Sequence, residues 1–356
     1  MAVTGKIRAT TGTGESEGVV RRPPSGLRPP VLVARGNSPS SRPSLHRQAW
    51  SRGSQPPLGG NAAARQSRFR AFTPRAARRA AAAAAAGLLA LALASAARAG
   101  TECADFVRQL PNINAAQCAQ TQLVASTARS VHGRPIYIRD LPAEGAKLRV
   151  LVIGGIHGDE LSSASVALHW IRLATQDPAQ MPQPVHWRFI PAVNPDGLFD
   201  KPPRRVNANG VDLNRNFPTP NWERDARIYW EQRTRKDPRR YPGPKPLSEP
   251  ETRFVHEEIQ SFKPNLIVSI HAPYGVLDFD GPSVPPSKLG RLYLDQVGIF
   301  PGSLGNYGGV HKGVPVVTIE LPNSMRTPLG AETRQMWLDL LRWMSERVMD
   351  RGPRVP

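Results

Sequence analysis

Four short apolar runs, each ending in residues that carry chemistry, constrain this chain more than any other feature of it. They are residues 148–156 (LRVLVIGGI), 185–193 (VHWRFIPAV), 265–272 (NLIVSIHA) and 314–321 (VPVVTIEL). Turn residues bound each one. Apolar runs of this length without strict alternation suit strands buried on both faces. Helical periodicity alternates with them. Leu161, Ala164, Leu168 and Ile171 share a helical face after the first run, and Phe254, Val255, Ile259 and Phe262 share one before the third. Residues 333–349 read as a long amphipathic helix. Ser248-Glu249-Pro250-Glu251 has the form of a capping box, with Ser248 as N-cap and Glu251 at the third helical position. Alternating strands and helices predict an α/β domain with a mixed, mostly parallel sheet flanked by helices. Residues 194–247, rich in Pro, Arg and Asn, make a connection long enough to predict a functional loop.

Ligands in α/β sheets gather at the carboxyl ends of the strands, so those ends carry the functional argument. The first run leaves Gly154-Gly155-Ile156-His157-Gly158-Asp159-Glu160, the second Asn194-Pro195-Asp196-Gly197, the third Ser269-Ile270-His271, and the fourth carries Glu320. His157 and Glu160 are three apart, so a tight turn entering a helix brings both to one ion. His271, from another strand, closes a third corner. Two histidines and a carboxylate with one position open to water are the donor set of a catalytic zinc site. A lone H-x-x-E is a weak signal; the joint pattern is stronger. Glu320 lies among apolar neighbours, where an unpartnered carboxylate is costly, and that cost points to a general base. In Asn209-Gly210-Val211-Asp212-Leu213-Asn214-Arg215-Asn216 the closely spaced Asp, Asn and Arg suit recognition of a carboxylate. Arg204 and Arg205 offer a second cation. Asp278 and Asp280 read most simply as solvated loop acids, with contact to a distal substrate ammonium as the functional alternative.

Charge is unevenly spread. Of 47 Lys+Arg and 28 Asp+Glu, residues 1–99 hold 16 basic residues and only Glu15 and Glu17 as acids. The remainder is mildly basic, with no concentrated basic stripe, which argues against a nucleic-acid partner. Residues 1–67, rich in Ser, Pro, Gly and Arg, read as a disordered extension, or as the product of a mis-assigned translation start. Residues 68–99 combine a basic stretch, an Ala- and Leu-rich run from Ala80 to Ala97 and a small-residue pattern, Ala97-Arg98-Ala99, as a cleavable signal peptide does. A stable membrane span after cleavage is not expected. The chain has two cysteines, Cys103 and Cys118. In an exported protein such a pair predicts a disulfide, here within a short segment, 100–125, ahead of a catalytic domain over 126–350.

Taken in order, HGDE, NPDG, NGVDLNRNFP, SIHA and TIEL resemble the zinc metallocarboxypeptidases (carboxypeptidase A-like), and the compact spacing and SEPET segment are similar to the murein peptide amidase branch. The resemblance implies a single carboxypeptidase-like domain holding one Zn²⁺ per chain. It implies that His157, Glu160 and His271 are ligands and Glu320 is the base. It further implies that Arg205 (Arg204 as fallback) stabilises the oxyanion, Asn214 and Arg215 grip a terminal carboxylate, and Asp212 orients the first histidine. The mobile tyrosine of the carboxypeptidase A-like enzymes has no clean counterpart: Tyr293 and Tyr307 lie 27 and 13 residues before Glu320. The expected activity is that of a periplasmic or secreted amidase cleaving the γ-D-glutamyl–meso-diaminopimelate bond of cell-wall peptides. Alternatives are a deacylase of N-acyl amino acids, of the succinylglutamate desuccinylase or aspartoacylase kind, a general carboxypeptidase, and a non-enzymatic cell-wall binder.

Overall fold

The computed structural model describes residues 103–110, 112–176 and 184–348. The extension over 1–67 and the leader over 68–99 lie outside them. Residues 103–109 form α1 and Ala115–Thr121 form α2. There follow β1 (Val124–Arg129), β2 (Pro135–Leu141), β3 (Leu148–Ile153), α3 (Leu161–Gln176) and β4 (Val185–Ile190). The long connection holds two short α-helices, α4 (Pro195–Leu198) and α5 (Trp222–Ile228), and three further short helical segments, Leu213–Arg215, Tyr229–Arg233 and Pro238–Arg240. Then come α6 (Pro250–Phe262), β5 (Leu266–His271), β6 (Val276–Asp280), the two-residue strands β7 (Lys288–Leu289) and β8 (Leu292–Tyr293), β9 (Val316–Glu320) and α7 (Gly330–Arg347).

The main sheet has seven strands in the order β1-β2-β4-β3-β5-β9-β6. Its centre, β4-β3-β5-β9, is parallel and consists of the four apolar runs. The flanking pairs β1–β2, β2–β4 and β9–β6 are antiparallel. The two-residue period of a strand divides the side chains between two cores. Val150, Val152, Val268, Ile270, Val317 and Ile319 face one side. There they pack on α3 and α7, where the rings of Trp170 and Trp337 meet at 5.3 Å. Leu151, Ile153, Ile267 and Val316 face the other, against Phe254, Val255 and Ile259 of α6. On this second face the strand beginnings are apolar, but Ser269, His271, Thr318 and Glu320, toward the strand ends, are not. That polar corner is where the site lies.

The α6 N-terminus departs from the expected capping box. The helix starts at Pro250, and its N-cap is Glu249, whose side chain caps nothing. Proline at the first helical position has a φ already suited to the helix and no N–H to satisfy, so Ser248 is displaced from the cap. Its hydroxyl donates to Glu249 Oε1 at 2.7 Å. The Glu251 carboxylate is buried and accepts instead from Val131 N at 3.1 Å and Asn207 Nδ2 at 3.1 Å. The other expected helices hold: Leu161, Ala164, Leu168 and Ile171 are all buried on α3.

Residues 103–125 do not stand apart from the domain. Cys103, Phe106, Leu110 and Cys118 belong to the same apolar cluster as α3 and α7, and Cys103 and Cys118 are joined by a disulfide. Among the described residues no helix is long and apolar enough to cross a membrane. Closing a 15-residue separation limits the unfolded chain, so replacing both cysteines by alanine is expected to lower the unfolding free energy by about 3 kcal/mol. Urea denaturation of the two forms measures this.

Candidate metal centre and cleft

β3 delivers the first two site residues through a turn that only glycine allows. Gly155 has φ +55°, and an added Cβ would stand 3.0 Å from the Ala192 Cα. At Gly158 the same atom would lie 2.2 Å from the Gly197 carbonyl carbon and 2.5 Å from the Arg204 oxygen. The chain therefore runs tightly against the loop that carries Arg205. The Ser163 hydroxyl, on the first turn of α3, donates to the Glu160 oxygen at 2.7 Å and accepts from Gly155 N at 3.0 Å. This lock sets His157 and Glu160 facing the same point. His271 ends β5 directly beside Glu320, which ends β9; the two are register partners.

His157 Nδ1 lies 2.7 Å from Glu160 Oε1 and 3.2 Å from His271 Nδ1, and His271 Nδ1 lies 3.1 Å from Glu160 Oε2. All three residues are buried. The opposite ring nitrogens are engaged elsewhere: His157 Nε2 with Asp212 Oδ1 at 3.2 Å and His271 Nε2 with the Ser269 hydroxyl at 2.9 Å. Assigning the ring protons to those bonds leaves a lone pair on each Nδ1. Two lone pairs and a carboxylate then converge, with no proton to share among them, and such a set calls for a cation. Nitrogens bound to one tetrahedral zinc stand about 3.3 Å apart, so the observed 3.2 Å fits. The structure thus brings together the three side chains expected as ligands, in a group that could hold a metal ion.

Asp212 is the support of this group. Its four acceptor positions are filled by His157 Nε2, the Asn214 N–H at 3.0 Å, and Arg205 Nε and Nη2 at 3.1 and 3.0 Å. Burial opposes its charge, but Arg205 and then His157 outweigh it and hold the carboxyl well below the usual range. Arg205 also reaches Glu160 Oε1 at 3.5 Å and lines the cleft. Arg204 does not: it pairs with Asp200 at the surface.

A cleft of about 220 Å³ opens over these residues. Asn214 lines it, and its Oδ1 accepts from Leu304 N at 2.8 Å. Arg215 is 4% exposed, lies over the Phe300 ring at 4.5 Å, and leaves its Nε with no partner. Burial, with help from Arg205 and Arg240, makes the Arg215 charge less favourable, against the pull of Asp212. A guanidinium in that state, facing a cleft, suits an incoming carboxylate. Glu320 is 7% exposed and its Oε2 also lacks a partner. Burial raises its pKa, and Glu160 adds to the rise, while His271 and His157 oppose it.

Asp278 and Asp280 are not solvated loop acids. They lie on β6, both 7% exposed, and both face the cleft. Asp278 accepts from backbone N–H groups, Phe279 N at 2.8 Å among them. Asp280 makes no side-chain hydrogen bond among the described residues, and burial, then Asp278, pushes its pKa up to about 6. Neither tyrosine weighed from the sequence reaches the cleft. Tyr293 is exposed on β8, and the Tyr307 hydroxyl bonds His256 Nδ1 at 2.7 Å on α6. Tyr274, at the mouth, does line it. Tyr274, Arg239 and Arg240 escaped the sequence reading, and Ser269 was given no role in it. Ser269 had a signal, being two residues before His271 on one strand face; the arginine pair, in an irregular loop remote from every motif, had none.

The zinc carboxypeptidase family profile matches residues 110–278. Murein peptide amidase A of Escherichia coli (strain K12) is 31% identical over 222 residues, covering 60% of this chain and 88% of that protein. Murein peptide amidase A of Vibrio campbellii is 32% identical over 204 residues, covering 55% and 78%. In fold, carboxypeptidase A from Helicoverpa armigera superposes with a TM-score of 0.50 at 16% identity, covering 64% of this chain and 70% of that one. With the ordered motifs, the converging His–Glu–His group and a relative matched over most of its length, the chain belongs to the zinc carboxypeptidase family and is a hydrolase.

Proposed function

We propose that this protein is an exported zinc amidase that cleaves the γ-D-glutamyl–meso-diaminopimelate bond of cell-wall peptides, releasing a residue with a free carboxylate. The convergence of His157 Nδ1, His271 Nδ1 and the Glu160 carboxylate beside Glu320 carries this reading. One zinc held by these three side chains supplies Lewis acidity to a water and to the scissile carbonyl. Glu320 takes the proton of the attacking water and passes it to the leaving amine, so that water adds across the amide and leaves an acid and an amine. Its buried carboxylate, one oxygen of which has no partner, suits that exchange. Arg205, held by Asp212, meets the negative charge that develops on the carbonyl oxygen. Arg215 and Asn214 hold the terminal carboxylate of the leaving residue.

The choice of a diamino acid rests on the cleft's two walls. Arg215, Asp278 and Asp280 line one cavity, so a residue with a carboxylate and a second, distal ammonium satisfies both kinds of charge. Similarity to the two murein peptide amidases supports the same choice, and the disulfide supports export to an oxidising compartment.

The direct test incubates the purified protein with murein tripeptide, ordinary C-terminal peptides and N-acyl amino acids, with and without chelator. Fastest cleavage of the tripeptide, abolished by chelator, is expected; a preference for either other class refutes the assignment. Glu320→Gln is expected to retain zinc, measured by metal analysis, while turnover falls by orders of magnitude; unchanged turnover removes Glu320 as the base. The Asp280 carboxylate attracts an ammonium only when ionised. Since its pKa is pushed up to about 6, KM for the diamino substrate is expected to rise as the pH falls through that value. Asp280→Asn is expected to raise KM throughout and flatten this dependence, as a KM–pH profile of both forms reveals.

A further inference from the structure

A guanidinium taken out of water is tolerated when something compensates its charge. Among the cleft arginines, Arg205 pairs with Asp212 and Glu160, and Arg239 with Asp159 at 2.8 Å. Arg215 and Arg240 pair with no carboxylate among the described residues, although both line the cavity. Arg240 is half-buried, so water still solvates it. Arg215 is buried and lacks that relief. Its Nη1 donates to the Asn214 oxygen at 2.6 Å, and its Nε has no partner. What stands against its charge is a pair of rings. The Arg215 Cζ lies 4.5 Å from the centre of the Phe300 ring and 5.9 Å from that of Tyr229.

The Phe300 ring is held in that place by its own backbone. Residues 300–304 are stitched to the segment that carries Arg215. Gly302 N donates to the Thr219 hydroxyl at 3.0 Å, and the Gly302 oxygen accepts from Phe217 N at 3.0 Å. Gly302 has φ +73°, and an added Cβ there would collide with the Arg215 oxygen, so the two backbones touch. The Trp222 indole N–H donates to the same Arg215 oxygen at 2.8 Å. The Phe300 oxygen accepts from the Ser303 hydroxyl at 3.0 Å and from Asn306 Nδ2 at 3.1 Å. The Tyr229 ring meets the Phe300 ring edge to face at 5.6 Å. Leu304 N donates to Asn214 Oδ1 at 2.8 Å, which leaves the Asn214 amide N–H groups for a ligand. One short segment therefore sets both residues assigned to the substrate's terminal carboxylate.

A ring in place of an acid has a chemical consequence. A carboxylate beside Arg215 would hold it equally well, but an incoming carboxylate would have to displace it and leave a buried anion unpaired. A ring face attracts the cation through its quadrupole and brings no acceptor that competes for the N–H groups. Phe300 lines the catalytic cleft and also an adjoining groove of about 700 Å³, which Tyr229 and Arg240 share. We propose that Phe300, assisted by Tyr229, is a positioning residue of the carboxylate clamp: its ring holds the Arg215 guanidinium where an acid otherwise would, and leaves the remaining N–H groups to the terminal carboxylate of the leaving residue. This rests on the role proposed above for Arg215 and deepens it. Phe300 touches no reacting atom and acts through Arg215.

The test uses pairs of peptides that differ only in the carboxylate next to the scissile nitrogen, free in one and amidated in the other, with the zinc-loaded full chain. Pairs are made both as murein tripeptides and as ordinary C-terminal peptides, so that the ratio is readable whichever class is cleaved and the murein assignment stands or falls separately. The ratio of kcat/KM for acid over amide reads the clamp alone. In Phe300→Leu it is expected to fall by about three- to thirtyfold, the range of a cation–π contact, mainly through KM of the acid. Phe300→Tyr keeps a ring and is expected to restore the ratio. Tyr229→Leu is expected to lower it less, since that ring lies farther from the guanidinium. A variant damaged only in its folding loses both rates alike and does not mimic this result. An unchanged ratio in Phe300→Leu, or an equal fall in Phe300→Tyr, overturns the inference and leaves the proposed function standing. A ratio near one in the unaltered protein removes the terminal carboxylate from Arg215 and overturns the inference with it.

Discussion

The site depends on one buried carboxylate. Asp212 has no exposed surface, and a charge so placed is tolerable only if its hydrogen-bonding capacity is filled. It is filled: His157, Arg205 and the Asn214 N–H occupy all its acceptor positions, while its own N–H reaches Tyr241. These bonds settle three things at once. They turn the His157 ring so that Nδ1 faces inward. They hold the Arg205 guanidinium beside Glu160. They tie the loop of residues 207–241 to the end of the sheet. A shift of Asp212 would disturb the His–Glu–His group and both arginine-bearing turns together.

Around that anchor the charges are divided rather than dispersed. Arg205 is compensated by Asp212 and Glu160, whereas Arg215, Arg240, Asp280 and Glu320 are left open to the cleft. Groups of the last kind raise the free energy of the empty protein slightly, through desolvation without compensation. They become favourable only when a substrate of opposite pattern arrives. The proposed substrate, which carries both carboxylates and an ammonium, is such a pattern. The same division explains why Glu320 and Asp280 shift upward while Asp212 shifts downward: all three are buried, but only Asp212 has a cation in contact.

Much of the fold was legible along the chain. The four apolar runs became the four parallel strands, and the stripes on α3, α6 and α7 became their cover, because burial of both sheet faces writes itself into composition at short range. His157, Glu160, His271 and Glu320 were legible as strand-end residues, since the carboxyl ends of parallel strands meet at one edge. The α6 cap was misread because Ser248 and Glu251 satisfied a local rule, whereas Glu251 is claimed by Val131 and Asn207 from distant segments. Asp278 and Asp280 were read as loop acids because β6 is a short edge strand whose polar face looks out on a cleft rather than on water.

The amino-acid sequence alone determined the α/β class, the strand-end chemistry and the order of motifs that marks the family, because each is encoded in the spacing of residues close together in the chain. Only the tertiary structure decided that Arg205 rather than Arg204 enters the cleft, that Asp280 goes unpartnered, and that Arg240 stands where the cleft meets the adjoining groove. These are facts of convergence. The segments that create them are separated by tens to more than a hundred residues, and nothing in local propensity or periodicity records which side chain remains unpaired once they pack together.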